Sequence, residues 1–517
     1  LFSDLIQLAW IKYWVKHILN IMTPPNEETP EGVFTPLDTD LYKMTMQCAI
    51  LKFFPNIKVA YKFTNRTEEM RLNRAAYEWL QIQISKLANI KVTDDEIAWL
   101  QKTCPYLGST YLDYLRTFRF KPAEHIVASF TPVGGYDDAD DSAFGQVELT
   151  IEGLWLETIL YEIPLLALTS EAYFKFVDKE WSHAGQVANA SRKCAELIEN
   201  GCTFSEFGSR RRRDYATQDM VLQGILQAVE EAQHTSEAGI SSSSGNVQQG
   251  KFTGTSNVHF AMKYGCAPIG TVAHEWTMGI AACSDDPASA NEAALRYWVQ
   301  AFGRGTLAIA LTDTFGTEDF LKSFSKPAVY GDNDIDSKEV TAEKDATYAD
   351  VFSGVRQDSG DPLEYLKRMK DFYTSQGILP QRSSTQARKI IVYSDSLNTQ
   401  KCIKYARATE ETGLVPSFGI GTFFTNDFVR RTNTKSSKDG AQHDPQQDAE
   451  EGQVTEVEKS KPLNIVIKLR EVEGRSAVKL SDDIGKNMGD EEAIRRYKDA
   501  VDYHDHSWNG ADERNRW

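Results

Sequence analysis

TFSEF (203–207), KFTGT (251–255), PIGTV (268–272), TLAIAL (306–311), DVFSGV (350–355), KIIVY (389–393) and SFGIG (417–421) recur through the middle of the chain. Each run is short and apolar, ends in small or polar residues, and precedes a stretch with helical spacing. Strands buried on both faces read this way. Seven such runs in series predict parallel βα units. Their downstream edges carry Glu206, Arg210, His274, Thr312, Asp313, Arg356, Asp358, Ser394, Asp395 and Thr422. In a β/α barrel the chemistry sits at the C-terminal strand ends, so these polar groups stand where a barrel enzyme needs them. A doubly wound open sheet fits the same rhythm, because periodicity does not report closure.

Outward from this core, residues 23–200 read as a separate N-terminal α/β domain. LDTDLYKMTMQCAILKFF (37–54) has helical spacing after Asp38 and Thr39, which suit a cap. VAYKFTNR (59–66) alternates like a strand; 68–88, 93–103 and 108–118 read as helices; 145–153 and 162–168 contain strand-like apolar runs. Residues 201–430 hold the barrel. The Ser/Gly/Gln-rich stretch 234–250 and the polar insertion 431–461 read as solvated loops. LNIVIKL (463–469) and SAVKLS (476–481) predict a strand hairpin, and a helix starts near Glu491 within the closing part 462–517.

The chain has 517 residues, 41% of them hydrophobic, and a net charge of −17. That supplies a large core and argues against a nucleic-acid partner, which calls for a basic excess. Anionic ligands would need basic residues gathered locally. Seven scattered cysteines without a C-x-x-C pair suit a reducing compartment and give no zinc pattern. The first 22 residues are apolar but interrupted by Asp4, Lys12, Lys16 and His17. They read as a leader preceding a start at Met22, or as an amphipathic docking helix, and no later segment suits a membrane span. The expected location is the cytosol, with the nucleus left open.

Four clusters could carry chemistry. Arg210–Arg213 follow EFGS at a strand end, where guanidinium forks suit phosphate; a solvated face or an import signal is the plain alternative. Gly419, Gly421 and Thr422 in GIGT let a backbone approach phosphate oxygens, though a simple turn has the same letters. Arg356 and Asp358 in GVRQDSGDP offer a guanidinium to an acid and carboxylates to Mg²⁺ or hydroxyls, with Ser394 in YSDSLN nearby in kind. His274 in GTVAHEW has no H-E-x-x-H context. No Walker A motif and no G-x-S-x-G elbow occurs.

Taken in order, LDTDLYKMTMQ (37–47), EFGSRRRRDYATQD (206–219), GTSNVHFAMKYGCAPIGTVAHEW (254–276), LTDTFGTEDF (311–320), GVRQDSGDP (354–362), YSDSLN (393–398), GIGTFFTND (419–427) and KPLNIVIKL…AVKLSDDIGKNMGD (461–490) resemble the nicotinate phosphoribosyltransferase family, its fungal type in particular. The resemblance implies a type II phosphoribosyltransferase fold, an irregular β/α barrel joined to an N-terminal α/β domain. It implies transfer from phosphoribosyl pyrophosphate to nicotinate, with Mg²⁺ as cofactor and ATP as co-substrate hydrolysed through a phosphohistidine. By motif match the phosphohistidine falls on His274 and the nicotinate contacts on Tyr42, Thr271 and Arg356. The phosphoribosyl pyrophosphate contact falls on Thr422, and the Arg210–Arg211 pair matches the basic motif that lines the site; the reading of the residues adds Gly421, Gly419, Asp358 and Ser394 as phosphoribosyl pyrophosphate contacts and Asp358 as a metal ligand. The implied partners are these small molecules, with no membrane or nucleic acid, in a monomer or homodimer. The alternatives are a nicotinamide phosphoribosyltransferase, a quinolinate phosphoribosyltransferase that would release CO₂, or a non-catalytic binding protein on the same fold.

Overall fold

The computed structural model describes residues 31–134, 142–237, 249–329, 346–381, 387–430 and 458–505. The apolar leader, most of the Ser-rich stretch and most of the polar insertion lie outside the described residues. From Gly32 onward the chain forms one compact unit around two sheets.

The first sheet is antiparallel and gathers both ends of this unit. It contains β1 (Lys58–Asn65), β2 (Leu72–Asn73), β3 (Ile126–Pro132) and β4 (Phe144–Leu154). Strand β1 alternates strictly, with Val59, Tyr61 and Phe63 inward, as a half-buried antiparallel strand must.

The second sheet is the barrel. Strands β5 (Thr203–Glu206), β6 (Lys251–Thr255), β7 (Ile309–Leu311), β8 (Gly354–Gln357), β9 (Ile390–Tyr393) and β10 (Val415–Ile420) pair in the order β6-β5-β10-β9-β8-β7, all parallel. A two-stranded ladder of β11 (Phe428–Val429) and β12 (Lys459–Ser460) flanks it. Then β13 (Ile465–Val472) and β14 (Arg475–Ser476) complete the first sheet, whose order is β14-β13-β1-β4-β2 with β3 on β4. The C-terminal hairpin therefore pairs with β1, Val59 opposite Val472 through Asn65 opposite Ile465.

Several expectations need correction. PIGTV is not a strand. Its one ladder contact is a bridge from Pro268 to Thr255. Proline gives no N–H to a ladder, and the segment then swings against the helix Leu41–Phe53, where a Cβ on Gly270 would lie 2.9 Å from the Tyr42 nitrogen. The barrel's hydrogen bonding is consequently open between β6 and β7.

The run 162–168 lies in a helix, Glu162–Phe176. It is buried on nearly every side, packing against β13, the helix Arg74–Lys86 and the turn Ser209–Arg211. An apolar run without period fits a buried helix as well as a strand. The helix expected over 68–88 begins only at Arg74, with Asn73 as its cap. DVFSGV splits into a short helix, Tyr348–Val351, and the start of β8. SAVKLS leaves the sheet after Ser476. Asp38 and Thr39 do not cap the helix Leu41–Phe53: its N-cap is Asp40, without a side-chain capping bond, and Asp38 is bound elsewhere.

Candidate functional site

A cavity of about 420 Å³ opens at the C-terminal ends of the barrel strands. Ser205, Thr253, Ile309, Arg356, Val392 and Ser417 bring all six strands to its wall, so the sheet curls around it. Tyr42, Arg66, Glu162, Val466 and Lys468 close it from the side of the antiparallel sheet. The eleven residues given a role by the resemblance (Tyr42, Arg210, Arg211, Thr271, His274, Arg356, Asp358, Ser394, Gly419, Gly421 and Thr422) line this one space, as does Asp395, whereas the strand-end candidates Glu206, Thr312 and Asp313 and the arginines Arg212 and Arg213 do not.

His274 opens the helix His274–Ser284. Its Nδ1 lies 3.0 Å from Thr314 Oγ1 and its Nε2 2.9 Å from Asp358 Oδ2, with Asp313 Oδ1 at 3.8 Å. Burial, and then the Lys479 ammonium, push the imidazole down to about 4 against the pull of Asp313 and Asp358, so it is neutral at pH 7. Burial raises Asp358, but the Arg356 guanidinium and His274 overcome it and hold the carboxyl well below the usual range. An ionised carboxylate only accepts, so Nε2 carries the ring proton and Nδ1 keeps the lone pair.

Arg356 sits at the end of β8. Its Nη2 donates to Asp358 Oδ1 at 2.7 Å, its Nε to Ser394 Oγ at 2.9 Å, and its Nη1 reaches the Val272 carbonyl at 3.4 Å. Ser394 Oγ in turn lies 2.9 Å from Asp358 Oδ1 and from the Gln357 carbonyl. The arginine, the carboxylate and the imidazole thus form one continuous polar row.

The turns after β5 and β10 pack back to back. Phe207 N–H donates to the Ile420 carbonyl at 2.8 Å and Thr425 Oγ1 to the Gly208 carbonyl at 2.9 Å. Lys193, almost fully buried, donates to the Phe423 carbonyl at 2.6 Å and pairs with Asp427 at 2.7 Å, which braces the segment after Thr422. Of the basic run, Arg210 and Arg211 line the cavity, whereas Arg212 and Arg213 are buried. Arg213 stacks on Phe174 and Phe428 and donates to Ser460 Oγ, fastening the base of β11 and β12.

Sequence reasoning missed part of the wall. Lys43 is fully buried between Glu162 and Glu275, and both carboxylates line the cavity. Burial alone would lower its ammonium; the two carboxylates more than offset that and raise it. Glu275 also accepts from Tyr61 Oη at 2.6 Å and Trp155 Nε1 at 2.7 Å, while Glu162 lies 3.9 Å from Arg210. Lys468, Lys479 and Lys486 add amino groups from the C-terminal segment. Burial, with Lys479 and Arg66 close by, pushes Lys468 well below the usual lysine range. The available signal was a lysine at an alternating position in IVIKL and another inside the apolar LYKM.

Among the described residues, His274, Asp313 and Asp358 form a group whose ligand atoms lie within 4.8 Å of one another. The buried Asp313 Oδ1 has no hydrogen-bond partner there.

A parallel barrel with convergent arginines, a half-buried imidazole–carboxylate pair and a lysine-rich wall defines a class: an enzyme that handles a phosphorylated substrate at its strand ends. The comparisons carry this further. The nicotinate phosphoribosyltransferase (NAPRTase) family model matches residues 202–441 and 445–505, and the model for its N-terminal domain matches 37–170. The chain is 43% identical to nicotinate phosphoribosyltransferase of Saccharomyces cerevisiae over 93% of its own length and 98% of the yeast protein. It is 35% identical to that of Methanosarcina acetivorans, over 89% of this chain and 96% of the relative. The solved Saccharomyces cerevisiae structure superposes with a TM-score of 0.76 at 41% identity, covering 92% of this chain and 100% of that one. That of Vibrio cholerae nicotinate phosphoribosyltransferase gives 0.70 at 28% identity, covering 93% and 96%. The chain belongs to the nicotinate phosphoribosyltransferase family.

Proposed function

We propose that this chain transfers the phosphoribosyl group of phosphoribosyl pyrophosphate to nicotinate, with ATP hydrolysis coupled through His274. The pyridine nitrogen attacks the anomeric carbon as the bond to pyrophosphate breaks, giving nicotinate mononucleotide and pyrophosphate. The transition state is oxocarbenium-like, so orientation and charge stabilisation matter more than proton transfer. Arg356 grips the nicotinate carboxylate, and the buried Tyr42 offers a ring to stack on. Gly419, Gly421 and Thr422 take the ribose phosphate, and Arg210, Arg211, Lys468, Lys479 and Lys486 receive the pyrophosphate and the ATP phosphates.

His274 accepts the γ-phosphoryl group: a bond forms from ring nitrogen to phosphorus, the bridging P–O bond breaks, and ADP leaves. Later hydrolysis returns the imidazole and phosphate. The observation that carries this reading is the Nε2 contact to Asp358 at 2.9 Å, which leaves Nδ1, whose lone pair accepts from the Thr314 hydroxyl at 3.0 Å until it attacks, as the nucleophilic nitrogen. Mg²⁺ fits Asp313 and Asp358, since one buried carboxylate oxygen has no other partner and oxygen ligands suit this ion. It would neutralise the departing pyrophosphate. Seven free thiols favour the cytosol as the setting.

The test is an assay with nicotinate or nicotinamide, with and without ATP, followed by mapping of label from γ-labelled ATP. Nicotinate preference, ATP stimulation and an acid-labile label on His274 are expected. Nicotinamide preference, or label on another residue, rejects the reading.

A further inference from the structure

The C-terminal hairpin does not continue as a sheet after Ser476. It crosses to the mouth of the barrel and lies over the residues that surround His274. Leu480 N–H donates to the Thr314 carbonyl at 2.8 Å, and Thr314 Oγ1 is the neighbour of His274 Nδ1. Lys479 Nζ lies 3.8 Å from Asp313 Oδ2. Ser481 has φ +68°, a left-handed backbone that a serine adopts at a cost, and Tyr503 Oη holds its carbonyl at 2.8 Å.

Asp482 is the hub of this strap. Its carboxylate accepts from Thr317 N–H at 2.7 Å and from Thr317 Oγ1, fixing the start of the helix Thr317–Phe324. Its own N–H donates to Ser359 Oγ at 3.0 Å. Ser359 Oγ then donates to Asp313 Oδ2, which leaves Asp313 Oδ1 turned toward His274 Nε2. The hydrogen-bonded row therefore runs from the strap through Ser359 to the carboxylate beside the histidine. Neither Ser359 nor Asp482 lines the cavity.

We infer that Asp482 is a positioning residue for the phosphorylation of His274, acting through Ser359 to fix the orientation of Asp313. This rests on the reading of His274 as phosphoryl acceptor. Asp358 and Thr314 hold the ring itself, while Asp313 Oδ1 presents its charge 3.8 Å from Nε2 without a hydrogen bond. A carboxylate free to rotate would change the field at the imidazole, and such changes at a reacting group cost rate rather than binding.

The experiment measures the rate of phosphoenzyme formation by rapid quench with γ-labelled ATP, on the full chain and on Asp482→Asn, Ser359→Ala and the double variant. Each single variant should label about tenfold more slowly at saturating ATP, with the half-saturating ATP concentration unchanged. The double variant should be no slower than the slower single one, because Asp482→Asn loosens the strap whose backbone N–H reaches Ser359, and Ser359→Ala removes the acceptor of that same bond. Ser359→Ala removes only a hydroxyl and keeps the test alive if Asp482→Asn does not fold. Labelling at the parent rate in either single variant, losses that multiply in the double one, or a shift confined to ATP affinity would overturn the inference. Label persisting in His274→Ala would instead remove the histidine assignment itself, and so separates the two failures.

Discussion

Arg212 and Asp38 meet in a buried two-pronged ion pair, Nη1 to Oδ1 at 2.8 Å and Nη2 to Oδ2 at 2.7 Å. Asn257 Nδ2 adds a bond to Asp38 Oδ1 at 2.8 Å and Gln218 Oε1 one from Arg212 Nη1 at 3.1 Å. Two residues before Arg212 stands Arg210, and four after Asp38 stands Tyr42, both in the cavity wall. The pair therefore fixes the distance between an aromatic wall and a cationic one. Burial favours the neutral acid, yet the guanidinium keeps Asp38 below its ordinary range.

Asp38→Ala should accordingly destabilise the protein by about 3–5 kcal/mol, because it leaves a buried guanidinium without its partner. Arg210→Ala, on a side chain 42% exposed, should shift stability by less than about 1 kcal/mol while impairing turnover. Denaturant melts of both variants decide this; equal effects on stability would contradict the division of the basic run into buried and cavity-facing halves.

That division shows what the sequence can convey. Four consecutive arginines after a strand marked a candidate phosphate turn, but which way each one points depends on long-range partners, Asp38 for Arg212 and Ser460 for Arg213. The parallel strands were readable because both faces are buried, as at Phe204, Val355 and Ile391. PIGTV misled because a proline and a passing helix override an apolar run. The helix Glu162–Phe176 misled because burial on all sides erases the period. The motif residues converge because strand ends converge. The lysines of the C-terminal segment were not legible, since only the pairing of β13 with β1 brings them over the barrel.

Arg356→Ala should raise the half-saturating concentration of nicotinate more than that of phosphoribosyl pyrophosphate. Losing a two-pronged charge-assisted contact costs about 2–4 kcal/mol. Because Arg356 also anchors Asp358, ATP stimulation should fall in the same variant. Steady-state kinetics with each substrate varied in turn provide the check. Equal losses for both substrates would argue that the residue only supports the loop.

Substitutions in the glycine turn should be graded. A Cβ on Gly421 would stand 2.9 Å from the Phe207 carbonyl oxygen, which the backbone holds in place. A Cβ on Gly419 would meet only the Phe207 ring at 3.4 Å, and that side chain can yield. Gly421→Val should therefore raise the apparent constant for phosphoribosyl pyrophosphate strongly and cost about 1–3 kcal/mol of stability. Gly419→Ala should do much less. Unchanged phosphoribosyl pyrophosphate kinetics in a folded Gly421→Val protein would separate this turn from the phosphate.

The last prediction concerns pH. In the folded chain the His274 imidazole is pushed down to about 4 by burial and by Lys479, from an ordinary 6.5. Between those values the unfolded chain binds a proton that the folded chain does not. The contribution to stability is thus full above pH 6.5 and declines as pH falls from there toward 4, since stability rises with pH wherever the unfolded state holds more protons. The same shift keeps Nδ1 unprotonated well below neutrality, so phosphoenzyme formation should stay flat from about pH 8 to about pH 5.5 as far as this group is concerned. Rapid-quench labelling across that range, with ATP saturating at each point, measures it directly. A single protonation step centred near the ordinary histidine value would mean that the imidazole is solvated in the working enzyme, and the half-buried row from Arg356 through Asp358 to His274 would not be the state that reacts.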